Sequence, residues 1–315
     1  MKSDSLCLWM AAAALLVCCV LPAPAQESNA EKVVAPKQSQ TFAGETAPEG
    51  ATLAAEEAEL RQKAGESPQS GDVLYRLGMV LRLERKYKES LETYTRAAGL
   101  RKPDVMDLRS VAFDYVQLND YDDAIRWLRI ALGMQPDNVD VLYALGRCFY
   151  TQNDFIHAEA AFTRVLQLKP DHLKAEENLG LTYDGQNKPE LAEKTLRTAV
   201  LWADQRQVKD EWPYIDYASV LLDQSRWAEA LPVLRKAVMI APESAPGHEK
   251  LGRALLGSGQ PAEAVVALEK AVSLDPQNPK AHFELGKAYR DSGQAGRGRA
   301  EFEISKRLYG THNQE

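Results

Sequence analysis

The chain has 315 residues, of which 45% are hydrophobic, 8% aromatic and 26% charged, and its formal net charge is −7. This composition is typical of a soluble globular protein, and it excludes a largely disordered chain or a multi-span membrane protein. An acidic chain without a dense run of Lys and Arg also argues against nucleic acid as a partner, because phosphate contacts require an excess of positive charge on one face.

The N-terminal segment predicts export. Lys2 precedes an uncharged apolar run from Leu6 to Leu21, and residues 22–25 (PAPA) end in the small-x-small pattern that a signal peptidase accepts. We expect cleavage after Ala25, which would leave residues 1–25 as a signal peptide and give a periplasmic or secreted protein. An uncleaved N-terminal membrane anchor is the alternative.

Cysteine usage fits that interpretation. Cys18 and Cys19 do not follow the residues typical of a lipobox, and both would leave with the signal peptide. Cys148 would then be the one cysteine of the mature chain, so no internal disulfide can form and stability must come from packing.

Two short regions precede the main domain. Residues 26–50 are polar, with scattered Pro, Gly, Ser and Thr and no apolar period, which predicts a disordered linker. Residues 51–70 are rich in helix formers and contain no breaker before Gly65, so we expect an amphipathic N-terminal helix or half-repeat there.

From Gly71 the chain repeats with a period of 34 residues. Residues 71–206 hold four windows, and residues 211–312 hold three, the last ending in a C-terminal cap. An insertion at 207–210, flanked by Trp202 and Trp212, separates the two sets, and we interpret it as the boundary between two lobes. The windows begin at Gly71, Val105, Val139, Leu173, Glu211, Ala245 and Pro279.

Two positions of the window are always small, which predicts close contact between paired helices. Position 8 holds Gly78, Ala112, Gly146, Gly180, Ala218, Gly252 and Gly286, and position 20 holds Ser90, Ala124, Ala158, Ala192, Ala230, Ala264 and Gly298. Positions 7, 11 and 24 are large and apolar, at spacings that place each set on one helical face. Position 15 mostly holds residues that tolerate a left-handed turn, and Pro136, Pro170, Pro242 and Pro276 mark the end of second helices.

At these residues the chain resembles the tetratricopeptide repeat family, over residues 71 to about 312. The resemblance implies an all-α fold, a right-handed α-solenoid superhelix of helix-turn-helix repeats, in which successive first helices line a concave groove. Gly298 and Ser305 depart from the packing pattern, so we expect a shorter or looser last helix that serves as a polar cap.

In this family positions 2, 5, 9, 12 and 13 face a ligand in the groove. Across the first three windows they supply a cluster of aromatic and Arg side chains, the types enriched at binding hot spots. We predict that this cluster binds a peptide or protein segment, of anionic character because of the three arginines; the alternative is that the rings only pack against neighbouring helices. The predicted groove residues are Tyr75, Met79, Arg82, Arg109, Phe113, Tyr143, Arg147 and Tyr150.

No residue pattern predicts catalysis, a metal or a cofactor. Cys148 and His157 occupy positions 10 and 19 of their window, which other residue types fill elsewhere, so a structural role is favoured over a catalytic pair. His248 and His282 share position 4 of adjacent windows and should lie about 10 Å apart, too far for one metal. Lys174 and Asn178 lack the other members of a carboxylate clamp.

Three classes of function remain open on the sequence alone. The favoured one is a non-enzymatic, exported scaffold for protein–protein interaction that helps to assemble an envelope or secretion complex. The second is a periplasmic carrier or chaperone that binds many unfolded chains weakly. An enzyme is the third, and no catalytic motif supports it.

Overall fold

The computed structural model describes residues 50–312, so the predicted signal peptide and nearly all of the predicted linker lie outside the described residues. Over 50–312 the fold is all-α, as predicted, with fifteen helices and no strand. None of these helices combines the length and the hydropathy that a membrane span requires. The helices are α1 Gly50–Glu66, α2 Gly71–Leu83, α3 Tyr87–Ala98, α4 Val105–Gln117, α5 Tyr121–Met134, α6 Val139–Thr151, α7 Phe155–Leu168, α8 Leu173–Gly185, α9 Pro189–Gln205, α10 Trp212–Asp223, α11 Trp227–Ile240, α12 Ala245–Gly257, α13 Pro261–Leu274, α14 Pro279–Asp291 and α15 Ala295–His312.

The helices follow the predicted windows closely. Each even-numbered helix is the first of a pair, and each begins at the first residue of a window except α10, which begins one residue later at Trp212. Each pairs with the helix that follows it in the chain. The amphipathic spacing of the apolar positions therefore located both helices of each pair.

The described helices form two compact units, one that ends at Leu168 and one that begins at Lys169. This division differs from the lobe boundary that we predicted at residues 207–210, which lie inside the second unit. The insertion does not interrupt packing there, because Ala203 of α9 contacts Tyr214 and Ile215 of α10 in one apolar cluster. Helix α9, which ends at Gln205 before the insertion, has 17 residues, compared with 14 in α11.

Between the helices of every described pair, position 15 has the left-handed conformation that its residue types predicted. The backbone angle φ there lies between 57° at Asn187 and 83° at Gly293. Arg85 adopts the same conformation, with φ of 62°, although it is neither glycine nor asparagine. The geometry of the pair thus imposes this turn even on a residue that disfavours it.

The small residues at position 8 contact the large residues at position 24 of the same pair. A Cβ atom added to Gly146 would lie 2.7 Å from the ring of Phe162, and one added to Gly286 would lie 2.6 Å from the ring of Phe302. Wherever position 24 is aromatic, position 8 is glycine, whereas the alanines at position 8 face leucine. Position 20 also lies at this contact, since Ser90 donates a hydrogen bond to the Gly78 carbonyl over 2.8 Å.

Helix α1 covers one face of the first pair. Its Leu53 and Leu60 are buried against Leu77, Val80 and Leu81 of α2. Ion pairs along the edges join α1 to the following pair, as between Lys86 and Glu57, whose charged atoms are 2.7 Å apart. The predicted N-terminal helix is therefore an integral part of the first unit.

The last helix contradicts our expectation of a short or loose element. Helix α15 has 18 residues and is the longest of the described helices. Gly310 stands where four other windows have proline, so nothing stops the helix at that position. Ser305 is compatible with close packing because its hydroxyl donates to the Pro279 carbonyl over 2.7 Å.

Candidate partner-binding surface

The eight predicted groove residues all lie on α2, α4 and α6, the first helices of the first unit. We call them the first-helix surface: Tyr75, Met79, Arg82, Arg109, Phe113, Tyr143, Arg147 and Tyr150. Seven of them are half-buried, and Tyr75 is buried. Half-burial leaves part of each side chain accessible while neighbouring side chains fix its position, which is the state expected of a preorganised contact residue.

Tyr75 differs from the prediction because it is buried and supports the neighbouring surface residues instead of being accessible to a ligand. Its hydroxyl donates a hydrogen bond to the Arg101 carbonyl over 3.1 Å, and the Arg101 guanidinium lies 4.0 Å from the centre of its ring. Burial raises the pKa of Tyr75 above its ordinary value. A ligand would therefore meet the neighbours of Tyr75 rather than its ring.

Arg82 and Phe113 connect the first two helix pairs. The guanidinium carbon of Arg82 lies 5.0 Å from the centre of the Phe113 ring, and the edge of that ring also meets Tyr87, with 6.4 Å between ring centres. A cation–aromatic contact of this kind fixes the position of the guanidinium. This pair combines apolar area with a positive charge.

Arg109 forms an ion pair on the surface. Its Nη1 atom lies 2.9 Å from Oδ2 of Asp140, and the two side chains are 26% and 68% exposed. Such an exposed pair contributes about 1 kcal/mol or less, so a ligand carboxylate could take the place of Asp140. The local positive charge is correspondingly smaller than the sequence alone suggested.

The aromatic residues of α6 pack within their own helix pair. The Tyr143 ring lies 5.9 Å from that of Phe162, and the Tyr150 ring lies 5.7 Å from that of Phe155. The packing role that we held as the alternative is thus part of what these rings do. Both remain half-buried, with Arg147 between them in sequence.

Asp114 is a feature of this region that sequence reasoning missed. It is fully buried, and neither of its carboxylate oxygens has a hydrogen-bond donor within residues 50–312. Burial raises its pKa to about 7, although the nearby Ser90 hydroxyl and Arg82 guanidinium oppose the rise. The available signal was its place at position 10, where the other windows have no charged residue.

Cys148 and His157 show no sign of a catalytic pair. Cys148 is buried, and burial raises the pKa of its thiol to about 12, the opposite of what a nucleophilic thiolate needs. His157 is exposed, with its Nδ1 atom 2.7 Å from Oδ2 of Asp154, and its ring stacks on Phe149. Each residue is accounted for by local packing.

The two histidines at position 4 contact backbone carbonyls. The Nε2 atom of His248 lies 2.9 Å from the Pro242 carbonyl oxygen, and that of His282 lies 3.1 Å from the Pro276 carbonyl oxygen. His282 also contacts Glu301 through Nδ1, over 2.6 Å. These imidazoles therefore hold the connection between consecutive helix pairs. No group of three metal-ligating side chains occurs in the part of the chain that the structure describes.

In the second unit, charged residues at equivalent positions are engaged internally. The Lys174 ammonium lies 3.2 Å from Oε2 of the fully buried Glu177 and 2.5 Å from Oδ2 of Asp210, which the insertion supplies. Burial and the neighbouring Asp216 raise the pKa of Glu177 against the influence of Lys174. Asn178 donates to the Lys174 carbonyl over 2.7 Å. None of these side chains is arranged to clamp a ligand.

Comparison with known proteins agrees with the repeat geometry. Residues 112–172 match one tetratricopeptide repeat model, and residues 252–293 match another. The BBSome complex member BBS4 of Bos taurus is 27% identical over 117 residues, which are 37% of this chain. The match spans only 22% of the length of BBS4.

Two solved structures show the same fold. A chain of the APC/C hetero-tetramer Cut9–Hcn1 is similar with a TM-score of 0.61 and 16% identity, over 81% of this chain and 50% of that one. PilW, described as a widely conserved type IV pilus biogenesis factor, is similar with a TM-score of 0.58 and 19% identity, over 67% of this chain and 94% of PilW. At these identities the likeness is one of fold. Over residues 50–312 the protein is thus an all-helical repeat protein, and a stretch in each of its two units is similar to tetratricopeptide repeats.

Proposed function

We propose that the first-helix surface binds a segment of a partner protein, and that the protein is a non-enzymatic scaffold for protein–protein interaction. The observation that carries this proposal is the series of three arginines and four half-buried aromatic or Met neighbours on α2, α4 and α6. Partly exposed Arg and aromatic side chains offer large contact area and directed hydrogen bonds without a large cost of ordering.

The partner segment carries carboxylates in this proposal. Arg82 presents its cation on the Phe113 ring, and Arg109 already holds an exposed carboxylate, that of Asp140. A carboxylate of the partner that replaces Asp140 would form the same type of contact in a less exposed setting, where it is stronger. Asp140 would then act as a competitor that keeps the surface from binding acidic segments indiscriminately.

We place this activity outside the cytoplasm, in the assembly of an envelope or secretion complex. The support is the apolar N-terminal run and the cleavage pattern that ends at Ala25. PilW, a type IV pilus biogenesis factor with the same fold, is consistent with such a role. Fractionation of the source cells, with the N-terminus of the recovered protein sequenced, tests the export part independently of binding.

The binding part is tested by capture from the envelope fraction of the source cells, followed by affinity measurement with the partner that is recovered. We expect one partner in stoichiometric amount, and at least a tenfold loss of its affinity in the double variant Arg109→Glu, Arg147→Glu. The expected loss follows from removing two attractive contacts and adding two repulsive ones.

Lys88→Glu combined with Arg96→Glu is the matched control, because both residues are exposed on α3 and the change in charge is the same. Equal loss in the control would mean that net charge, rather than the first-helix surface, governs binding. Recovery of many chains in small amounts would favour the carrier or chaperone function instead.

A further inference from the structure

The last helix pair of the second unit lines an open surface cavity of about 710 Å³. Three aromatic rings and three cations line it: Phe283, Phe302, Tyr309, Lys287, Arg290 and Lys306. A cavity of this size is large enough for several side chains of a ligand. Neither the predicted groove nor the contacts of the first unit include any of these residues.

The cavity lies where each preceding pair is covered by the next first helix. Within the second unit α14 packs on both α12 and α13, and α12 packs on both α10 and α11. Position 24 is consequently sealed in those pairs, with Leu234 and Leu268 fully buried. The equivalent residue of the last pair, Phe302, is only half-buried.

Position 5 shows the same difference. Glu177, Ile215 and Glu249 occupy it in the earlier pairs of the second unit and are all buried, with at most 7% exposed. Phe283 occupies it in the last pair and is 46% exposed. Tyr309, from the extra length of α15, is 50% exposed beside it. Among the described residues, the last pair therefore presents a helix-sized apolar face without the cover that its equivalents have.

The charge of this face determines what can cover it. Position 28 is aliphatic in the other windows of the second unit, at Val200, Val238 and Val272, and it is Lys306 in the last. Lys306 is exposed at the cavity, so a covering helix with a purely apolar face would bury an ammonium group. A covering helix must supply a carboxylate opposite Lys306.

The two other cations, Lys287 and Arg290, also favour a ligand that carries carboxylates. Lys287 pairs with Glu284 over 2.8 Å, and Arg290 pairs with Asp291 of the next position over 2.8 Å. Arg290 and Asp291 are 57% and 43% exposed, so their pair is weak and can exchange its carboxylate for another. The lining thus combines an apolar floor with cations that can reach carboxylates of a ligand.

We propose that the face between α14 and α15 binds the apolar side of an amphipathic helix of a partner protein, with carboxylates along the edge of that helix. Phe283, Phe302 and Tyr309 would contact the apolar side, and Lys287, Arg290 and Lys306 would pair with the carboxylates. Binding here would be independent of the first-helix surface, which belongs to the other unit.

The test uses the full chain and a labelled amphipathic peptide of about 16 residues, with Leu at helical spacing and Glu on both flanks. We expect fluorescence anisotropy to show saturable binding of this peptide. A peptide in which Lys replaces Glu, and one in which Ser replaces Leu, should not bind. The variant Lys287→Glu, Lys306→Glu should lower the affinity at least tenfold. The matched control is Arg299→Glu, Arg307→Glu, on α15 but outside the cavity, which should leave the affinity unchanged.

Three results would overturn the inference. One is equal binding of the Glu and Lys peptides, and another is equal loss in the two charge-reversal variants. The third is self-association of the wild-type chain in sedimentation that the Lys287→Glu, Lys306→Glu variant abolishes, because a second copy would then be the occupant. The Arg109→Glu, Arg147→Glu variant should bind this peptide as the wild type does, so the two proposals fail separately.

Discussion

The first helices of the two units use the same repeat positions in different ways. In the first unit, positions 5, 9 and 12 hold mainly arginines and aromatic residues, most of which are half-buried. In the first two pairs of the second unit, position 5 holds Glu177 and Ile215, which are fully buried, and the charge of Glu177 is engaged by Lys174. The repeat therefore fixes where a side chain stands, and its neighbours decide whether it is available to a partner.

The two units also bury carboxylates differently. Glu177 has a lysine within 3.2 Å, whereas Asp114 in the first unit has no hydrogen-bond donor among the described residues. Burial raises the pKa of both carboxyl groups, and for Glu177 the neighbouring Lys174 ammonium opposes the rise. Stability should accordingly respond to Lys174 in one unit and to the protonation of Asp114 in the other.

Removal of Lys174 is expected to have the largest effect. Lys174→Met should lower the free energy of unfolding by about 3 kcal/mol, because Glu177 would be left buried without its cation. Urea denaturation followed by circular dichroism measures this change. The control is Lys209→Met, because Lys209 is exposed and adjacent to Asp210 in the sequence. It should change stability by less than about 0.5 kcal/mol. Equal effects would show that Lys174 does not compensate Glu177.

The packing that the two units share can be disturbed at position 8. Gly146→Ala should destabilise the protein by about 2 kcal/mol, because the new methyl group would lie 2.7 Å from the Phe162 ring. Phe162→Leu should rescue part of that loss, since alanine at position 8 faces leucine in other pairs. A double-mutant cycle by thermal or urea unfolding gives the coupling.

Gly133→Ala is the control for the effect of glycine itself. Apart from its chain neighbours and the nearby backbone of its own helix, no atom lies within 4 Å of a Cβ added to Gly133, so this change should stabilise α5 by about 0.5 kcal/mol. Additive effects of Gly146→Ala and Phe162→Leu would mean that positions 8 and 24 do not determine each other.

Asp114 is expected to give the smallest change, and one that depends on pH. Its pKa is raised by burial to about 7 in the folded protein and is ordinary in the unfolded chain, so the folded state binds more protons between these values. Stability is therefore lost as the pH rises from about 4 to about 7. Valine is the replacement because Val80 and Val220 occupy the same position in other windows. Asp114→Val should stabilise the protein by about 1–2 kcal/mol at pH 8 and by less at pH 5. An identical pH dependence of wild type and variant would contradict the assignment.

Much of the fold could be predicted from the sequence, and less of the candidate site. The helix bounds and the left-handed turn at Asn153 follow from local patterns, because small and large residues recur at fixed spacing. The burial of Tyr75 and Asp114 could not be predicted in this way, since it depends on Arg101 and on the neighbouring helix pairs rather than on position in the window. The length of α15 was not predicted, because Gly298 and Ser305 indicated weak packing. The absence of a proline at Gly310 allows the helix to continue.

Site-specific photo-crosslinking tests the central claim most directly, because it works before the partner has been identified. A photoreactive phenylalanine analogue is placed at Phe113 or Tyr150 on the first helices, or at Ile156 on α7, and the source cells are irradiated. Ile156 is the control for nonspecific crosslinking, since it lies in the same unit and is 77% exposed. We expect a discrete adduct from positions 113 and 150 and none from 156. An adduct from 156 alone, or equal adducts from all three, would contradict partner binding by the first-helix surface.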